Sequence, residues 1–431
     1  MTAPSAKRLE KIQIRMAVLC AAAVILMVIF SYRAGLLRWT DNYLYDLHFK
    51  WRGPAETSGN VVLVLMDQKS ADELGRTKSS WARGHMAQAL ENLCASEAEI
   101  IGLDMIFAAP DTDPQTDLSL AGVMEQCNNI VLARGSSTYG GELASLELFQ
   151  ATMIGDGFID LFLDEDEVLR RVRYLNANPL PNGELELLPS FSLELARNYL
   201  NIEFDFDLSS PEYLRMGGKK DGILLPQPEL IINYIGDYTG FPSLSYADVV
   251  KNRFSAGAVK GKLIIIGSSL AIERDVFSTP YTRFQRPDDD LSHKFGSMVK
   301  DILAAKDLGM ACHAHAVETI LNRAFIRKTS FSWIAVLTVM LGILGLIFYT
   351  SKIGVVWEAL LLCAGLIVIV FAGHMAFLQK QWVDISPFLT VLIVQYVIGV
   401  VLQKVFDKKK TSLVTDLFGK YVSYSVVNEL I

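Results

Sequence analysis

From Phe331 to Lys410 the chain alternates long apolar runs with short polar joints. Phe331 to Tyr349 and Ile353 to Leu378 each hold the roughly 20 apolar residues that an α-helix needs to cross about 30 Å of hydrocarbon. They predict membrane spans over 331–350 and 353–378. Ser386-Pro387 opens a third run, a hydroxyl N-cap followed by the residue whose missing N–H costs nothing at the first helical position, and predicts a span over 386–406. Three such runs in tandem are a membrane pattern rather than the core of a soluble fold. Near the other end, Met16 to Phe30 is apolar and follows Lys7, Arg8, Lys11 and Arg15, which suits either a secretory signal or an anchor. The next residues, from Ser31 to Leu37, contain no small-x-small cleavage site, so this run is read as an uncleaved span over 16–32.

Residues 33–330 carry a different rhythm, short β-branched runs alternating with helical spacing. Val61 to Met66 predicts a buried strand ending in Asp67; His85 to Ala95 a helix; Ile100 to Phe107 a strand carrying Asp104; Pro110 to Asp117 a polar loop; Leu118 to Cys127 a helix; and Ile130 to Ala133 a strand. Gly155-Asp156-Gly157 predicts a tight turn, and Asp164 to Glu167 a solvated acidic run before a strand from Val168 to Leu175. Ser190 to Tyr199 has helical spacing, and Asn201 to Asp221 reads as loop and edge strand. The α/β order returns with strands at Leu230 to Tyr234 and Leu263 to Ile266, a short helix from Ser245 to Asn252, a charged loop from Pro280 to Ser297 and a helix from Met310 to Ala324. The expected fold class is therefore a mixed α/β domain outside the cytoplasm plus four transmembrane α-helices, one before it and three after.

Charge refines this division. The 431 residues have a net charge of −7, yet residues 33–330 alone amount to −12, so the flanking membrane segments are net basic. An acidic domain of this kind argues against nucleic acid as partner, since phosphate binding needs a basic face. Short basic segments stay cytoplasmic, so residues 1–15 are expected inside, as are residues 407–431 behind Lys404, Lys408, Lys409 and Lys410, and Lys352 in the joint between the second and third spans. Arg323, Arg327 and Lys328 fall on the outer side, where a long translocated domain escapes the charge rule. Trp39 to Trp51 is amphipathic and rich in aromatics suited to a membrane surface. Of five cysteines, Cys94, Cys127 and Cys312 lie outside the spans. A Cys94–Cys127 pair and free buried thiols both fit.

Several motifs bear on chemistry. Lys262 to Ser269 is a strand running into a glycine turn, but it lacks the second glycine and the Lys-Ser/Thr ending of a nucleotide loop. Asp67 and Asp104 fall at strand ends, and Arg274-Asp275 follows the Gly267 turn. Open α/β sheets bind ligands at the carboxyl ends of their strands, so these residues, with Arg83, are candidates for a sensing pocket, the alternative being helix caps and internal pairs. His313 and His315 stand two apart on a predicted helix and point to different sides, which disfavours a shared metal. Glu358 and His374 in the third span lie near enough to its ends to snorkel. No serine-histidine-acid order, paired catalytic carboxylates or cysteine-rich metal cluster is present, so no catalytic residue, metal or cofactor is assigned to this chain.

Taken in order, Val61 to Asp67, Ile101 to Phe107, Gly155-Asp156-Gly157, Leu230 to Gly236, Gly261 to Gly267, Asp275 to Pro280 and His315-Ala316 before Glu318 to Leu321 resemble the type-2 CHASE domain, an extracytoplasmic sensory domain of bacterial receptors. The resemblance covers about residues 35 to 405; where that family has a Trp-Pro-rich segment this chain has Trp81-Ala-Arg83-Gly. It brings His315 into the candidate ligand-binding set with Asp67, Arg83, Asp104, Arg274 and Asp275. Asp416 to Ser423, continuing through Val426 to Leu430, looks like the segment that joins such spans to a class III nucleotide cyclase, whose two metal-binding aspartates would lie beyond Ile431. The resemblance implies a homodimeric receptor in a bacterial inner membrane, with both termini cytoplasmic. Its sensor would answer an unknown small molecule or envelope state, membrane lipid would be its other partner, and divalent metal would be needed only by the cyclase domain. A histidine kinase or other output, and a non-signalling binding or scaffold protein, are the rival expectations.

Overall fold

The computed structural model describes residues 6–418 apart from 76–80, 137–141, 180–184, 204, 208, 211, 219–221, 274, 285–305 and 351–352. The chain forms two units, one of Met1–His48 with Lys328–Ile431, the other of Phe49–Arg327.

Among the described residues of the first unit, four helices are long and apolar enough to cross a membrane, at Glu10–Arg33, Phe331–Thr350, Val355–Leu378 and Ser386–Ser412. The first helix starts at Ala6, and the fourth runs unbroken from Ser386 to Phe418. The second is interrupted, Phe331–Leu344 and Ile347–Thr350 being separate helical pieces. Val24, Val28, Phe348, Leu362, Val391 and Leu392 form a core among all four spans. Glu358 does not snorkel as expected: it is buried and accepts a hydrogen bond from Gln403 Nε2 at 3.0 Å. A carboxyl in an apolar span is far better satisfied by a neighbouring amide than left against hydrocarbon. The helix Arg38–Arg52 leaves the first span with Trp39 and Tyr43 exposed and stacked on one another.

The second unit is built, in chain order, from β1 (Val61–Met66), α1 (Gln68–Leu74), α2 (Arg83–Ala95), β2 (Ile100–Leu103), α3 (Pro114–Cys127), β3 (Ile130–Ser136), β4 (Glu142–Leu143), β5 (Gly155–Phe158), α4 (Phe191–Tyr199), β6 (Ser243–Ser245), α5 (Tyr246–Val250), β7 (Leu263–Ser268) and α6 (Gly309–Leu321). The strands make one sheet in the order β6-β1-β7-β2-β3, with β5 parallel to β3 and the short β4 antiparallel to its end. Val61 to Met66 lie beside Leu263 to Ser268 in parallel register, and β2 lies on the other side of β7. Strands buried on both faces need no polar alternation, which is why β1 and β7 are continuous apolar runs.

Four local expectations change. The loop expected over Pro110 to Asp117 gives way to helix at Pro114, because Asp113 caps Gln115 N at 3.0 Å and proline suits the first turn. Gly155 to Gly157 is strand β5 rather than a turn; a Cβ on Gly157 would fall 2.6 Å from the Phe191 backbone, so glycine is there for close approach of α4. Asp164 and Asp166 are not solvated. Their side chains are 7% and 6% exposed and clamp the fully buried Arg170, with three N–O distances of 2.7 Å. The strand expected from Val168 to Leu175 is broken up, Arg171–Arg173 pairing with Glu229–Ile231 and Leu175–Pro179 with Leu185–Pro189. Within Asn201 to Asp221, Tyr213–Met216 pairs antiparallel with Ile223–Pro226 and with Phe206–Asp207. Of the two open cysteine readings the structure takes the pair: Cys94 and Cys127 are disulfide-bonded, their Cα atoms 5.8 Å apart, joining the ends of α2 and α3.

Candidate functional site

The strand order places the carboxyl ends of β1 and β2 on either side of the end of β7, so Asp67 and Asp104 flank it. They have different fates. Asp67 is the N-cap of α1: its Oδ1 accepts from Ser70 N at 2.8 Å, Ser70 Oγ at 2.6 Å and Ser245 Oγ at 3.0 Å. Asp104 instead faces the start of α6, where Met310 and the Asp104 Cβ border the backbone at Gly267.

Asp275 is delivered to the same place by a short antiparallel ladder in which Val276 pairs with Leu308 and Phe277 with Asp307. Gly309 N donates to Asp275 O at 3.0 Å. A Cβ on Gly309 would stand 2.6 Å from the Asp275 carboxyl carbon, so the acid reaches the first turn of α6 only because residue 309 is glycine. A helix N-terminus favours a carboxylate, but burial opposes it. Burial, and then the charge of Asp275, push the Asp104 carboxyl up to about 8, while burial and the charge of Glu273 hold Asp275 at about 6. Both acids are thus held more protonated than an ordinary aspartate, Asp104 with Asp275 as its charged neighbour.

One turn into α6, Cys312 is fully buried, and burial together with Asp307, Asp275 and Asp104 drives its thiol far above the usual range. It is a protonated, inert neighbour of the acids. Further along, His315 packs between the Tyr234 and Phe241 rings at 4.9 and 4.8 Å, its Nε2 lies 3.3 Å from Asp307 Oδ2, and its Nδ1 accepts from Ile235 N at 3.4 Å. His313 points elsewhere, to Ser192 Oγ at 2.9 Å, and burial lowers it to about 4.

The predicted set is therefore split. Asp104, Asp275 and His315 are gathered along the first half of α6; Asp67 is a cap; Arg83 is bound into a separate cluster, paired with Asp117 and lying over the Phe107 and Phe149 rings at 5.4 and 5.3 Å. Arg274 lies outside the described residues. Among the described residues no three His, Cys, Asp or Glu side chains are grouped to hold a metal ion.

The model of the CHASE2 domain family matches residues 21–350, about three quarters of the chain. The chain belongs to the CHASE2 family. No curated protein and no solved structure matches it. The match confirms the resemblance drawn from the ordered motifs, and with it an extracytoplasmic sensory domain bordered by membrane helices.

Within this CHASE2 domain, sequence reasoning missed Asp307 and Glu318. Asp307 accepts from Tyr238 N and Leu308 N, both at 3.0 Å, as well as facing His315. Glu318 is buried and accepts from Ser58 N and from Ser58 Oγ at 3.0 Å. The signal that marks Glu318 is its setting in a helix buried from Gly309 to Ile320, whereas Asp307 lies in the short strand before that helix and has no such mark. A charged residue at such a helix needs a partner.

Proposed function

We propose that the chain is the receptor part of a bacterial inner-membrane signalling protein whose CHASE2 domain senses a stimulus outside the cytoplasm and regulates a cytoplasmic class III nucleotide cyclase making cyclic AMP. The observation that carries this reading is the helix Ser386–Phe418. Its 33 residues extend about 50 Å at 1.5 Å each, well beyond the roughly 30 Å of hydrocarbon, and it leads without a break into the cyclase-like segment from Asp416. The Cys94–Cys127 disulfide supports an oxidising compartment for the domain, and the basic residues at both chain ends support cytoplasmic termini.

In this reading the Asp104–Asp275 pair at α6 is the sensing element. Its stimulus is a proton or a small cationic ligand, the species whose binding differs most between an ionised and a half-protonated acid pair. A stimulus shifts a receptor only through unequal affinity for its two states, and a tenfold difference, about 1.4 kcal/mol, is enough to alter output. Class III cyclases work as dimers, which supports a homodimer, with divalent metal held by the cyclase domain and no nucleic acid partner.

The test is to read the gene past Ile431 and express its whole product in bacteria lacking their own cyclase. Cyclic AMP should accumulate, and Asp104→Asn should change its level at unchanged protein abundance. No cyclic nucleotide, or no pair of metal-binding aspartates in the continuation, overturns the cyclase reading.

A further inference from the structure

Asn233, Tyr234 and Ile235 follow the short strand Glu229–Ile231 and lie between two stretches of the second unit that are far apart in sequence. One is the entry, from Phe49 to Ser58, where the helix Arg38–Arg52 ends; the other is the exit, α6 from His315 onward and the residues after it as far as Arg327. Each of the three residues touches both stretches. Asn233 Oδ1 accepts from Arg52 Nη1 at 2.7 Å, while Asn233 N donates to Thr319 Oγ1 at 3.1 Å and its Nδ2 to Ala324 O at 3.3 Å. Tyr234 O accepts from Arg52 Nη2, and the Tyr234 ring meets the rings of Phe49 at 6.3 Å and His315 at 4.9 Å. Ile235 O accepts from Ala55 N at 2.7 Å, and Ile235 N donates to His315 Nδ1 at 3.4 Å.

The middle piece is anchored. Ile232 and Tyr234 are fully buried, Ile232 N donates to Arg170 O at 2.9 Å, and Tyr234 Oη donates to Leu169 O at 3.0 Å. The stretches on either side of it are not buried in the same way: Pro54, Ala55 and Glu56 are exposed in the entry, as are Asn322 and Arg323 in the exit. Chain held mainly by hydrogen bonds at the surface opens locally at small cost, so the bonds that fasten it decide what it opens with. Here they run to one anchored segment. A direct tie, Glu318 accepting from Ser58 Oγ at 3.0 Å, joins the same two stretches farther along each chain.

We propose that Asn233, Tyr234 and Ile235 form a coupling bridge, with Asn233 as its positioning residue, that makes the chain's entry into the CHASE2 domain and its exit from it open and close as one. A displacement of α6, whatever produces it, then reaches both of the domain's connections to the membrane unit rather than the exit alone. The bridge needs neither the Asp104–Asp275 pair as sensor nor a cyclase output, so its test stands apart from theirs.

That test is amide hydrogen exchange, read by mass spectrometry on the full chain in detergent, at residues 53–56 of the entry and 322–327 of the exit. Asn233→Ala should speed exchange in both by about fivefold or more, the lower end of a coupling between sites, with exchange in β1 and β7 unchanged. Arg52→Gln alters the entry yet should speed exchange in the exit, and Thr319→Val alters the exit yet should speed exchange in the entry. These two conservative changes decide the matter should Asn233→Ala fail to fold. Glu318→Gln, which weakens the direct tie to Ser58, should leave both stretches as they are. Coupling is reciprocal, so loosening confined to the altered side in either Arg52→Gln or Thr319→Val overturns the proposal. Loosening by Glu318→Gln equal to that by Asn233→Ala also overturns it, by making the direct tie the fastener. Faster exchange in β1 and β7 alongside the two stretches overturns it as well, because the whole domain would then be giving way.

Discussion

His315 Nε2 lies 3.3 Å from Asp307 Oδ2, and neither side chain has exposed surface. Because His315 Nδ1 accepts from Ile235 N, Nε2 is the ring nitrogen left to carry an N–H, on the side of Asp307. Asp307→Asn keeps the shape but can turn an N–H₂ toward that N–H, or toward the amides of Tyr238 and Leu308 that now donate to Oδ1. Either way buried donors face each other. The full chain should lose about 1–3 kcal/mol of stability, measured as a lower denaturation midpoint, with far-UV circular dichroism at low temperature unchanged.

The acid pair sets a pH dependence. An acid with a raised folded pKa holds more proton folded than unfolded, so its contribution to stability falls as pH rises. For Asp104 the window runs from its ordinary 3.8 up to about 8 and closes above it; for Asp275 it closes at about 6. Asp41 adds a similar slope up to about 7 from the membrane unit. Asp104→Asn should remove its share, at most about 1.4 kcal/mol per pH unit for one proton, so that between pH 6 and 8 the variant's stability curve is flatter than the wild type's. Parallel curves would show that Asp104 is ionised throughout.

Asp67 and Asp275 should behave oppositely. Asp67→Ala removes a cap and should cost about 0.5–2 kcal/mol with output per folded molecule unchanged. Asp275→Ala empties the first turn of α6 and should alter output without a comparable loss of folded protein. If the proposed cyclase output holds, cyclic AMP per molecule of the whole gene product, with folded protein counted by protease resistance, separates the two.

Arg170 holds Asp164 and Asp166 together in a dry site. Arg170→Met takes away the cation the two carboxylates share, leaving Asp164 with the half-exposed Arg171 and Asp166 with Arg283 at 3.1 Å, and should cost up to about 3–5 kcal/mol. Adding Asp164→Asn and Asp166→Asn should recover a large part of that, since uncompensated charge rather than lost volume is the main penalty. The comparison is a thermal melt of the single and triple variants.

The spans and most of the parallel sheet were legible because they depend on periodicity, which survives without knowing what packs on what. The β1 and β7 runs are apolar enough to be strands in any register, and Ser190 announces α4. Asp164 to Glu167 misled for the opposite reason: whether four acids face water depends on where Arg170 is carried by the fold, which no local pattern records. Gly155 and Gly157 carried a real signal, but glycine marks both positive φ and crowding, and only the neighbours on α4, Glu194 beside Gly155 and Phe191 beside Gly157, decide between them. Of the candidate site, Asp104, Asp275 and His315 were named from strand ends and family motifs, and the fold gathers them along α6. Asp307 was missed because its role arises from a two-residue ladder too short to leave a trace.

The second membrane helix is jointed between Leu344 and Ile347, whereas the helix from Ser386 is one piece as far as Phe418. A bend entering the former has a place to be absorbed. A twist imposed beside Ser386, whose amide is gripped by Asp41, has no slack to lose along the way, so of the two it is the better drive shaft.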